Sequence, residues 1–117
     1  STNGMDIKPF KRALFTSAVE AGADILPICL RYDTINGEPF TWENHRNICW
    51  YDDMDFGPHY MQMMGLKSIE TNVHYLKPFS AKEFPDRQTL AKMAYEQVSQ
   101  KYHEGRESQL KEPTSLN

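Results

Sequence analysis

The sequence predicts an α/β fold, and three observations carry that prediction. Segments with helical apolar spacing alternate along the chain with short apolar or alternating runs. Glycines and prolines punctuate them where helices end and strands turn. A length of 117 residues with 39% hydrophobic content is enough for one domain with a real core. The order read from the pattern is helix, strand, strand, helix, strand, helix, and such alternation favours layers of helices on sheet.

Pro9 suits the first turn of a helix, where its missing N–H is no loss and its fixed φ is already helical. From there Phe10, Leu14, Phe15, Ala18 and Val19 recur at three- and four-residue spacing and form one apolar stripe. Lys11, Arg12, Thr16 and Glu20 take the other side. Gly22 can adopt the left-handed conformation that closes a helix. Ile25 to Leu30 is an apolar run too short for a second helix, so it reads as a largely buried strand with Ile25 and Ile28 in the core. Pro27 cannot donate to a sheet ladder, which puts the strand at an edge there or bends it beside something that needs the space.

Asp33 to Asn47 holds Asn36-Gly37 and Pro39 and reads as a turn-rich surface loop or hairpin. Ile48 to Tyr51 reads as a short strand. Asp55, or the acidic turn before it, is placed to cap a helix from Phe56 to Met64 ending at Gly65, with Pro58 tolerable only in its first turn. Lys67 to Phe79 reads as a half-exposed strand, with Ile69, Thr71, Val73 and Tyr75 facing one way and Glu70, Asn72 and His74 the other. Asp86 then caps a long helix whose stripe is Leu90, Met93, Ala94, Val98 and Tyr102 and whose end is Gly105. Residues 1–105 are therefore expected to be the structured domain. Residues 106–117, polar and without periodicity, read as a disordered tail containing Pro113 and Ser115.

A net charge of −3 lacks the basic footprint of a general nucleic-acid binder, so nucleic acid is not an expected partner. No apolar run approaches the roughly 20 residues that span a bilayer, and no leader-like start is visible, so the chain itself reads as soluble. Cys29 and Cys49 fall in predicted strands and read as small core residues in a reducing compartment rather than as a disulfide. The four histidines lack ligand spacing, so no zinc site is expected. Asp52, Asp53 and Asp55 have the chemistry of hard-cation ligands, but a turn with a helix cap explains them; neither a metal nor a cofactor is expected. Tyr60, Met61, Met63, Met64 and Leu66 read first as core, with an adaptable apolar surface for acyl chains or a membrane as the alternative.

Ser1-Thr2-Asn3-Gly4, Lys8-Pro9-Phe10-Lys11 and Ile25-Leu26-Pro27-Ile28 stand in an order and at a spacing that resemble the glycerolipid acyltransferase family. In that family a Pro-Glu-Gly-Thr motif is followed by a small polar loop, a Pro-Phe-Lys or Pro-Phe-Arg helix start, and a strand of the Val-Pro-Ile-Val-Pro-Val kind. Trp50 to Met54, Phe56 to His59 and the Met-rich helix resemble its less regular downstream half, so the similarity covers roughly residues 1–104. The fold implied is the C-terminal half of that family's αβ sheet, with helices packed on a mixed sheet. The family's catalytic signature, a His followed after four residues by an Asp, does not occur at His45, His59, His74 or His103. The Glu-Gly-Thr motif would lie just before Ser1.

The resemblance implies the C-terminal part of an O-acyltransferase of the 1-acylglycerol-3-phosphate acyltransferase kind, working at the cytoplasmic face of a membrane. Its partners would be an acyl-CoA or acyl carrier protein donor and a lysophospholipid acceptor such as lysophosphatidic acid. Membrane attachment would come through the parent protein, and the segment alone would be inactive. Ser1, Thr2, Asn3 and Gly4, with Lys11, are the candidates for holding the acceptor's phosphate, since small polar residues at a helix start free N–H groups for an anion. A solvated helix start with ordinary surface cations explains the same residues. Pro27 is the candidate for the acyl-side wall. From another class, a non-catalytic α/β module whose Lys8, Lys11 and Arg12 dock an anionic lipid or protein partner fits as well.

Overall fold

At Pro27 the backbone leaves one sheet and enters another. Before it, β1 (Asp24–Ile25) pairs antiparallel with β5 (Phe79–Ser80), in the register Asp24 with Ser80 and Ile25 with Phe79. After it, β2 (Ile28–Ile35) is the central strand of a second sheet in the order β3-β2-β4, where β3 is Glu38–Pro39 and β4 is Ile69–Tyr75. Pro27 has no N–H to continue the ladder, but its carbonyl accepts from Leu76 N at 2.9 Å. The structure, a computed structural model, describes residues 2–84 and 86–111. It is α/β, with two small sheets in place of one mixed sheet. The β1–β5 and β2–β3 pairs are antiparallel.

The chain forms two compact units. One is built from the residues up to Ile7, Arg31–Asn72 and the residues from His103 onward; the other from Lys8–Leu30 and Val73–Tyr102. In the first unit the hairpin β2–β3 closes through Asn36 and Gly37, at φ 53° and 81°, the left-handed pair that an Asn-Gly turn supplies at least cost. Asn36 also bonds the chain ahead of β4: its Oδ1 accepts from Lys67 N at 2.7 Å, and its N–H donates to Ser68 O at 2.8 Å. Met5, Ile35, Phe40 and Leu110 are the buried apolar side chains of this unit.

In the second unit α3 (Arg87–His103) supplies most of the core through Leu90, Ala91, Ala94 and Val98, joined by Tyr102, Cys29 and Ala81. Their three- and four-residue spacing makes one buried stripe, and each large apolar member contributes about 1.5–3 kcal/mol by leaving water. Asp86 caps the helix as expected: its Oδ1 accepts from Gln88 N at 3.1 Å and its Oδ2 from the Thr89 hydroxyl at 3.3 Å. Met93, expected in the stripe, is only half-buried, and Ala91 takes the buried place beside Leu90.

Several expectations are corrected. The first helix does not start at Pro9: Lys11 is extended, Arg12–Phe15 is a 3-10 turn, and only α1 (Thr16–Ala21) is α-helical before Gly22 at φ 61°. Phe10 packs edge-to-face on Tyr95 with ring centroids 6.0 Å apart, which holds the chain ahead of the turn extended. None of the stripe is fully buried, and Leu14 is 76% exposed. Ile25 to Leu30 alternates instead of being buried throughout. Pro27 and Cys29 face inward, whereas Ile28 is 47% exposed and so is not core.

Ile48 to Tyr51 is not a strand. Ile48 N and Cys49 N both donate to the His45 carbonyl, at 3.2 and 2.8 Å, so the backbone continues the 3-10 turn His45–Asn47 rather than extending. The single strand expected over Lys67 to Phe79 is divided into β4 and β5, which belong to different sheets. α2 (Phe56–Met64) has the expected bounds, with Asp55 at the cap position, but the Asp55 side chain makes no capping bond there. Residues 106–111, expected in a disordered tail, are packed: Arg106 and Leu110 are buried, and Trp42 N donates to Gln109 O at 3.1 Å. Pro113, Ser115 and the rest of residues 112–117 lie outside the described residues.

Candidate functional site

Thr2, Asn3 and Gly4 form a tight loop in the first unit, and Ser1 lies outside the described residues. Gly4 N donates to Thr2 Oγ1 at 3.2 Å, and Met5 N donates to Asn3 Oδ1 at 3.0 Å. The loop's own side chains thus take up the Gly4 and Met5 N–H groups. Gly4, at φ 84°, is packed as well: a Cβ there would collide with Cys49 Sγ and come within 3.3 Å of the Phe40 ring. Glycine is required here by the positive φ and by the close approach of Cys49 and Phe40. Burial pushes the Cys49 thiol up from 9.0 to about 11, so it stays protonated at neutral pH.

Lys11 and Pro27 belong to the second unit. Lys11 is exposed in the segment that leads into the 3-10 turn, and its carbonyl accepts from Leu14 N at 3.1 Å. Pro27 is buried at the break between the sheets. The structure thus brings Thr2, Asn3 and Gly4 together in one unit and leaves Lys11 and Pro27 at separate places in the other.

The Met-rich helix α2 departs furthest from its first reading as core. Only His59 is buried, while Phe56, Met61 and Met64 are 59%, 70% and 65% exposed. Trp50, Phe56 and Tyr60 form an exposed aromatic ladder, with Trp50 edge-on to Phe56 at 5.4 Å and Phe56 stacked on Tyr60 at 5.7 Å. Trp50 Nε1 donates to Met54 O at 2.7 Å, so its ring needs no water partner. A contiguous apolar face of this kind is what interaction surfaces present. Among the described residues no three His, Cys, Asp or Glu side chains converge on a metal position, so Asp52, Asp53 and Asp55 do not make the carboxylate cluster considered for them.

Two arrangements were not read from the sequence. His45, 1% exposed, lies stacked between Trp42 and Tyr51, with Nδ1 2.5 Å from Trp42 O and Nε2 2.9 Å from the Tyr51 hydroxyl. The carbonyl can only accept, so Nδ1 donates to it, and the Tyr51 hydroxyl pairs with Nε2. The ring is a fully bonded core histidine. In the second unit, Pro9, Phe10 and Arg12 face Lys92, Tyr95 and Glu96 of α3 across an open groove of about 440 Å³. The i, i+3, i+4 spacing of Lys92, Tyr95 and Glu96 was the available signal, but it reads as an ordinary wet helix face until Phe10 is placed against it.

The chain is 29% identical over 78% of its length to the lyso-ornithine lipid O-acyltransferase of Rhodobacter capsulatus. It is likewise 29% identical over 77% of its length to the 1-acyl-sn-glycerol-3-phosphate acyltransferases of Neisseria gonorrhoeae and Neisseria meningitidis serogroup B. The chain resembles the glycerolipid acyltransferases. It spans about a third of the length of these acyltransferase relatives, 33% in each case. No family model and no solved structure matches it, so the acyltransferase likeness rests on sequence. Among the described residues of this acyltransferase-like chain, no helix is long and apolar enough to cross a membrane.

Proposed function

We propose that these 117 residues are the C-terminal part of an enzyme that moves an acyl group from a thioester donor, acyl-CoA or acyl carrier protein, to the hydroxyl of a lysophospholipid such as lysophosphatidic acid. The observation that carries this reading is the similarity to three acyltransferases of lysolipid-type acceptors over about three quarters of the chain. Catalysis would need a His general base, oriented by an Asp, to deprotonate the acceptor hydroxyl for attack on the thioester carbonyl. No histidine in this sequence has an Asp at the family's spacing, so the reading assigns both groups to a longer chain and expects the segment alone to be inactive.

Within the segment, Lys11 supplies positive charge on the phosphate side, Thr2, Asn3 and Gly4 shape a rigid loop, and Pro27 fixes the turn between the sheets. The exposed Phe56, Met61 and Met64 face supports a protein that works against acyl chains or a membrane surface. The cytoplasmic face is the side on which such donors are found.

Complementation tests the proposal. The longer reading frame that contains this segment should restore growth to a strain conditionally lacking lysophosphatidic acid acyltransferase, and the segment alone should not. Rescue by the segment, or failure of a well-expressed longer protein with either class of donor supplied in vitro, would sink it.

A further inference from the structure

Strand β4 is the outer strand of its sheet, and among the described residues no strand lies against its other side. Ile69, Val73 and Tyr75 are 38%, 49% and 70% exposed, and of the whole strand only His74 is half-buried. Ser68 O accepts from Asn36 N at 2.8 Å and Leu76 N donates to Pro27 O at 2.9 Å, so the backbone at positions 68 and 76 is turned inward to the sheet. Alternation along the strand between them then sends the N–H and C=O groups of Ile69, Thr71, Val73 and Tyr75 to the open edge. Natural edges are commonly blunted by lysine or proline. Ile69–Tyr75 holds no lysine, arginine or proline, and the nearest lysines, Lys67 and Lys77, lie outside the strand.

We infer that β4 is a self-pairing edge: two copies of this chain join antiparallel through it, two-fold about Asn72, and their three-stranded sheets become one continuous sheet. The strand, Ile-Glu-Thr-Asn-Val-His-Tyr, is complementary to its own reverse. With Asn72 opposite Asn72 of the second copy, Glu70 faces His74, Ile69 faces Tyr75 and Thr71 faces Val73, each pair occurring twice. The outward positions 69, 71, 73 and 75 then exchange backbone bonds pair by pair, so the edge keeps no bare N–H group. Glu70 and His74 fall in a non-hydrogen-bonded pair, where side chains stand closest. A carboxylate opposite an imidazole is attractive there, since the ring donates an N–H whether neutral or charged. A slip of two residues either way sets Glu70 against Leu76 or Asn72 and brings Lys77 against Ile69 or Lys67 against Tyr75. In the two-fold register Lys67 and Lys77 oppose each other just beyond the paired residues, which ends the ladder there. The pairing is independent of acyl transfer.

Sedimentation of the 117-residue chain over a concentration series and disulfide trapping test the pairing together. The chain should show a monomer–dimer equilibrium that saturates at the dimer. Glu70→Lys sets a cation opposite His74 twice and should weaken the dimer about tenfold; Glu70→Lys combined with His74→Glu should restore it to within about threefold. Under mild oxidation Asn72→Cys should form a covalent dimer, because a non-hydrogen-bonded antiparallel pair sets its Cα atoms about 4.5 Å apart, within disulfide reach. Glu70→Cys alone should not, since its two copies stand roughly 14 Å apart along the strands. Mixed with His74→Cys chains, it should cross-link to them. Glu70 and Asn72 are exposed, Asn72 giving up only a bond to Asp33, and near-ultraviolet circular dichroism checks the fold of each variant. The dimer should remain when Phe56, Met61 and Met64 are replaced together by Gln, which removes only association through α2. A chain that stays monomeric throughout, a dimer indifferent to Glu70→Lys, trapping of Glu70→Cys as readily as Asn72→Cys, or loss of the dimer in the Gln variant would overturn the pairing. Each of those outcomes leaves the acyl-transfer reading standing, because that reading is tested on the longer protein.

Discussion

Arg106 donates from Nη1 to the Tyr32 carbonyl at 2.6 Å, and this bond fastens the segment after α3 to β2. The guanidinium is 5% exposed, lies 3.8 Å from Asp33 and sits over the Phe40 ring at 5.9 Å. Beside it Arg31 Nη1 donates to Glu104 O at 3.1 Å, so two arginines tie residues 104–106 to β2 within the first unit.

Arg106→Leu should therefore destabilise the chain by about 2–4 kcal/mol, since it leaves the Tyr32 carbonyl and the Asp33 carboxylate facing an apolar side chain. Denaturant unfolding measures it. A change below about 0.5 kcal/mol, the size of an ordinary surface substitution, would show that the segment is not held this way.

At the other end of the sequence, Gly4→Ala meets two penalties, a left-handed backbone and a collision with Cys49 Sγ. A loss of about 2–3 kcal/mol is expected. Gly4→Ala made in a Cys49→Ala background should cost less, because the collision is relieved while the φ strain remains. Equal losses in the two backgrounds would mean that Cys49 is not the neighbour that demands glycine.

Cys49 also gives a pH prediction. Its thiol is raised to about 11 by burial, whereas the unfolded value is near 9.0, so the stabilisation is complete below about pH 9 and is lost as pH rises towards 11. Alkylation by iodoacetamide in the native state should climb towards pH 11, and in denaturant it should level off above about pH 9. Cys29 is fully buried and should stay unmodified until the chain unfolds. A native alkylation profile with its midpoint near 9 would contradict the burial of Cys49.

The apolar face of α2 is expected to control self-association. Replacing Phe56, Met61 and Met64 together by Gln should change unfolding free energy by less than about 1 kcal/mol, since all three are mostly exposed, and should reduce any concentration-dependent sedimentation. Loss of folding in that triple variant would show that these side chains are core after all.

α3 was legible because a cap at Asp86, a long 3.6-residue stripe and Gly105 all point to one answer, and local and tertiary preferences agree there. The Asn36-Gly37 turn was legible for the same reason. Ile48 to Tyr51 was not: its β-favouring residues are overruled by the stacked Trp42, His45 and Tyr51 rings, which keep the backbone turning. α2 misled in a different way, because periodicity marks an apolar face without saying what covers it. At the opening loop, Thr2 and Asn3 close on their own backbone, an arrangement that composition does not disclose. Arg106 could not be foreseen either, since a polar run in sequence carries no sign of a distant carbonyl waiting for it.

The most direct measurement of the central claim is product formation by mass spectrometry, with lysophosphatidic acid as acceptor and acyl-CoA or acyl carrier protein as donor. The longer protein that contains this segment should form the diacyl product, and the purified 117-residue chain should form none above the no-enzyme rate. Turnover by the short chain alone, or none by the folded longer protein with both donors, would contradict the account.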